Sequence, residues 1–310
     1  MDVFAELARA ARDGEDLAPR IAAFFAVAEK AKPAERDAML AALDEVVAAT
    51  PRDRAGPIAI LAGALVEIGA EPTSFPPSVF EHLLDYLRTI QGPEDETELP
   101  APYYELERAA MACLSRSPDM RRTLPEKEAL LEHTFRYRER YGFLGKMIRV
   151  LDDEPLVVLH PLTSRGFRFV MSGVADNFQL HLLLRAALAG RGEDKIEGKP
   201  PAKRAVDAAR DGDPKDGGAV QSDWQLANWF ALRPGNVIDT ADYHKSWIWN
   251  EGVPADIAPF EGTRVVLVGP TTIRRGWNAG RVFSGMPGKL APRGVLPRAE
   301  VDELLASMMP

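Results

Sequence analysis

The chain changes character near its middle, and that change limits what it can fold into. Before about residue 142 the apolar residues recur at three- and four-residue spacing. After it they gather in short β-type runs, and all five tryptophans (Trp224, Trp229, Trp247, Trp249, Trp277) lie there. One uniform architecture cannot serve both periods, because helices repeat every 3.6 residues and strands every two. The pattern therefore predicts an α+β protein. An all-helical bundle or helical-repeat domain over 1–145 precedes a mainly antiparallel α+β domain over 150–310.

In the first half, Met39, Leu40, Leu43, Val46 and Val47 share one helical face, as do Val79, Phe80, Leu83, Leu84, Leu87 and Ile90. Pro33, Pro57, Pro77, Pro102 and Pro125 stand where helices should begin, and Gly14, Gly69 and Gly92 where they should end. This punctuation predicts about seven helices of roughly 20 residues each, turn included. Paired, they match the size of helical-repeat units, with only faint internal similarity. A domain of this kind suits a protein partner.

In the second half, PLVVLHP (155–161) and GFRFVMSGV (166–174) read as a hairpin. Asp176 should cap a helix over 177–189 that Gly190 closes. Residues 191–222 are rich in Gly, Pro, Lys and Asp, which predicts a long exposed loop carrying one short helix near 203–210. KSWIWN (245–250) and TRVVLVG (263–269) read as strands, and 298–308 as a last helix.

Composition and charge exclude several classes. The chain of 310 residues carries a net charge of −8. Its first 150 residues hold 19 basic and 26 acidic side chains, which argues against nucleic acid as a partner. No run is long and apolar enough to cross a membrane. The first residues lack a continuous apolar segment, so no secretory signal is expected and the expected location is cytoplasmic. Cys113 is the only cysteine, which excludes an internal disulfide and a multi-cysteine zinc site. Set between Met111 and Leu114 on a helix, it reads as an inert core thiol.

Motifs with a known chemistry are missing. The chain has no G-x-G-x-x-G, no Walker A loop, no G-x-S-x-G elbow and no H-E-x-x-H. What remains is looser. From Arg264 to Arg298 there are seven basic residues and no acid. Within that stretch Arg274, Arg275 and Arg281 flank a Gly-containing segment, read here as a loop able to hold phosphate or carboxylate. The alternative is that these are solvated or paired surface charges. His160, His181, His244 and Glu251 are the candidate acid–base groups. Trp247 and Trp249 alternate around Ile248, so on a strand both indoles would face one side and line a pocket or fill a core. Asp176 and His181 are five apart, so they form no i,i+4 ligand pair, although Asn177 and His181 share a helical face. No metal site is predicted, and the cofactor is left open. Two roles follow. One is an interaction or assembly module acting through the helical half. The other is an enzyme on a small anionic substrate held by the arginines.

Overall fold

The computed structural model describes residues 3–89, 99–136, 142–211, 217–241, 243–280, 283 and 285–309. The chain divides into two compact units, residues 1–149 and 150–310.

The first unit is helical: α1 (Val3–Asp13), α2 (Ala18–Ala28), α3 (Pro33–Ala49), α4 (Arg52–Glu67), α5 (Ser78–Leu87), α6 (Ala101–Arg116), α7 (Pro118–Thr123), α8 (Lys127–Arg136) and α9 (Gly142–Ile148). These are nine helices among the described residues, where spacing predicted about seven. The additional ones are short. α7 spans less than two turns, too few to show a period, and is set by Pro118 and by Ser117, whose hydroxyl accepts the Met120 N–H at 3.1 Å. Pro57 starts no helix. It sits in the second turn of α4, which begins after Pro51. The apolar faces read from spacing are the buried ones, with Leu40, Leu43, Val47, Leu83 and Leu87 fully inaccessible. Glycines let α4 lie close against α6: a Cβ on Gly63 would come within 2.9 Å of Ala109 Cα. Helix ends are tied by arginine. Arg54 donates to the carbonyls of Ala11 and Glu15, and Arg36 to those of Ala28, Glu29 and Ile68.

The second unit is built on a mixed sheet. Its elements are β1 (Glu154–His160), β2 (Arg165–Ser172), α10 (Asn177–Leu188), α11 (Lys203–Asp211), β3 (Ala219–Asn228), β4 (Leu232–Arg233), β5 (Val237–Ile238), α12 (Tyr243–Ser246), β6 (Pro259–Phe260), β7 (Thr263–Asn278), β8 (Lys289–Val295) and α13 (Arg298–Met308). The strand order is β3-β7-β1-β2-β8, with β6 beside β7. β1 and β7 run parallel and the other pairs antiparallel; β4 and β5 form a separate hairpin. Alternation along β7 divides two cores. Val266 and Val268 pack with Leu180, Leu183 and Leu184 of α10, while Val265 and Leu267 pack with Val301, Leu305 and Met308 of α13. Helices on both faces account for the unbroken apolar runs of β1 and β7.

Three segments differ from their sequence reading. The strand at 263 does not end at 269. Pairing with β3 carries β7 to Asn278, so Arg274 and Arg275 belong to a strand and not to a loop. Arg275 pairs with Ser222 in that ladder, while Arg274 falls in the register shift between Pro270 and Arg275. KSWIWN is no strand: α12 ends at Ser246, Trp247 makes one isolated bridge to Ala227, and the chain then turns away. The stretch 191–222 is also less open than its composition suggests. Ile196, Ala205, Ala208, Ala209 and Val220 are buried, and β3 begins at Ala219.

Candidate functional site

The candidate site forms where α10 begins. Asp176 caps the helix by accepting the Gln179 N–H at 2.8 Å. The next two amides, which no helical turn can satisfy, donate to the segment following Trp249: Asn177 N–H to Gly252 O (2.9 Å) and Phe178 N–H to Asn250 O (3.0 Å). The Asn177 side-chain amide adds a bond to Trp249 O at 2.8 Å. These bonds bend the WIWNEG segment over the helix end, which is why it does not continue as a strand.

One turn along α10, on the face of Asn177, lies His181. Its Nε2 is 2.8 Å from Ser222 Oγ. Ser222 also accepts the Trp224 N–H at 3.1 Å, across the bulge of β3. The imidazole packs on the Trp277 indole, with centroids 5.3 Å apart, and Trp277 in turn meets Phe178. Burial, reinforced by the charge of Arg185, pushes the His181 pKa down to about 3. The nearby Asn250 favours the protonated ring, and Arg275 opposes it. The ring is therefore neutral near pH 7.

Arg275 stands opposite Ser222 in the β3–β7 register. Its guanidinium carbon is 5.0 Å from the centre of the Trp249 ring. The Glu251 carboxylate, 66% exposed, forms an ion pair with Arg275 at 3.8 Å from Nη2, too long for a hydrogen bond. Arg275 Nη1 is buried and makes no hydrogen bond. Asn177 Oδ1 is also buried without a partner, whereas His181 Nδ1 and Asn250 Oδ1 lie in one another's neighbourhood. Buried polar atoms are nearly always paired, so the orphaned Arg275 Nη1 requires an explanation.

The structure thus brings together several of the sequence candidates. His181, Glu251, Arg275 and Trp249 share this region. Trp247 joins them through its ring, 5.9 Å from that of Trp249, and His244 through a stacked contact at 6.1 Å. His160 lies elsewhere. It ends β1 beside a groove of about 1110 Å³ shared with Arg165, Lys199 and Asp223, and its Nδ1 bonds Thr163 Oγ1 at 2.7 Å. Burial and the Arg165 charge lower its pKa. Arg281 lies outside the described residues, and so does the side chain of Arg274. Arg264, in the same stretch, pairs with Glu154 at 2.8 Å.

Glu251 is 66% exposed, so the indoles do not enclose it. Among the described residues no group of three His, Cys, Asp or Glu could hold a metal ion. No family model matches the chain, and no curated protein or solved structure is similar to it.

Sequence reasoning missed Asn250, Ser222 and Trp277 as members of this cluster. The shared helical face of Asn177 and His181 was one visible trace of it, and the residues Asn250, Glu251 and Gly252 suit the turn found there. Ser222 and Trp277 arrive through strand register, which spacing does not encode.

Proposed function

We propose that the second unit is a recognition module for a small molecule bearing a carboxylate or phosphate, which docks on Arg275 against the Trp249 indole. The observation that carries this reading is the buried Arg275 Nη1, which has no hydrogen-bond partner beside an aromatic face. A guanidinium offers its donors as a planar fork matched to oxyanions, and an anion would complete it. The neutral His181 and the Asn250 amide add uncharged polar groups below. The state of His181 and the exposure of Glu251 favour binding over acid–base turnover. For the helical unit, the exposed large apolar side chains among the described residues are Val27 and Phe143. These two give a protein-docking face little support.

The test is a thermal-shift and calorimetric titration with inorganic phosphate and with benzoate. Wild type should be stabilised by about 2.7 kcal/mol at a hundredfold excess over Kd. The Arg275→Met variant should show no such gain, and Arg275→Lys only part of it. Equal stabilisation of wild type and Arg275→Met, or none in wild type, overturns the proposal.

A further inference from the structure

A different part of the second unit carries a cavity that the anion site does not use. In the β3–β7 ladder, Gln225 faces Gly269, so no side chain stands across from its amide. The Ile238 side chain fills the space above Gly269, where a Cβ would come within 2.7 Å of Ile238 Cδ1. The result is a cavity of about 170 Å³ walled by Pro161, Ile238, Trp247 and Val268, with Gln225 among its lining residues. Leu162 and Val237 stand at its rim, 75% and 57% exposed, although both are large apolar side chains. Gln225 itself is 4% exposed. Its Nε2 donates to Leu226 O at 2.9 Å, which fixes the amide, and its buried Oε1 has no partner.

We infer that this cavity binds a small apolar group, about one aromatic ring in size, that carries a single O–H or N–H donor aimed at Gln225 Oε1. Size sets the first half of this statement, because a cavity near 150 Å³ holds benzene. The second half follows from the cost of leaving a buried acceptor unmet. Largely apolar walls with a few polar groups, here Gln225, Asn236 and Thr240, are the usual composition of a small-molecule site. The exposed Leu162 and Val237 give the entering group an apolar approach.

Phenol and toluene have nearly the same shape and differ in one donor, so calorimetric titration with each reads both halves. Wild type should bind both, with phenol about fivefold to tenfold tighter. Gln225→Leu should keep toluene binding and abolish the phenol preference. Val237→Trp, a change at an exposed rim position that the fold should accept, should weaken both ligands at least tenfold. Arg275→Met should change neither, which separates this site from the anion site. The inference fails if wild type binds neither ligand saturably or prefers neither. It fails equally if the preference survives Gln225→Leu, or if Val237→Trp binds as wild type does. Should Gln225→Leu not fold by circular dichroism, Val237→Trp alone decides.

Discussion

His181 links burial to pH dependence. Its pKa in the folded chain is about 3, against an ordinary value of 6.5, with burial the main cause and Arg185 the next. Between those values the unfolded chain binds a proton at this ring and the folded chain does not. The stabilisation is complete above pH 6.5 and is lost as pH falls toward 3. From pH 7 to pH 5 wild type should lose about 2 kcal/mol more than His181→Gln, measured by urea unfolding at both pH values. Parallel profiles for the two proteins would show that His181 is not buried in its neutral form. At this scale the sequence was informative where a property is local. Cys113 is buried as its helical neighbours implied, with its pKa raised to about 12, chiefly by burial. The Asp176 cap was also legible. Asn250, Ser222 and Trp277 were not, since their roles depend on partners 41 to 99 residues away in the chain. The arginines were recognised as a group, yet only their places along β7 distinguish Arg275, which stands opposite Ser222, from Arg264, which pairs with Glu154.

Among the elements, the closest helical pairing depends on missing side chains. With Ala109 Cα 2.9 Å from where a Gly63 Cβ would lie, Gly63→Val should separate α4 from α6 and destabilise the helical unit by about 2–3 kcal/mol. Chemical denaturation followed by helical circular dichroism would measure this, and an unchanged midpoint would contradict the packing described. Helices of ten residues or more were legible from period and punctuation, because burial of one face enforces both. Short elements were not. α7 and α9 are too brief for a period, and the end of β7 was hidden because Gly276 and two arginines resemble loop composition while the ladder to β3 holds them extended. WIWNEG had the opposite fate. Its alternation suited a strand, but the unsatisfied amides of α10 drew its carbonyls into a turn.

For the whole molecule, each unit closes its own buried core, so residues 150–310 expressed alone should melt cooperatively and retain a protected Trp224 and Trp247. Near-ultraviolet circular dichroism during heating would check this, and a broad, featureless transition would count against it. The division into a helical part and a sheet part was visible in the residue periods, whereas the strand order was not, because β1 and β7 are neighbours across a hundred intervening residues. That adjacency has a consequence for synthesis on the ribosome. The β1–β2 hairpin emerges with the β7-facing side of β1 unpaired, and the strand that covers it appears only about a hundred residues later. Until then a row of open amides and carbonyls waits beside an apolar surface, the condition under which nascent chains associate wrongly. The long separation between paired strands also slows closure once the chain is complete. The second unit should therefore be most exposed to misassociation in the interval before β7 is made.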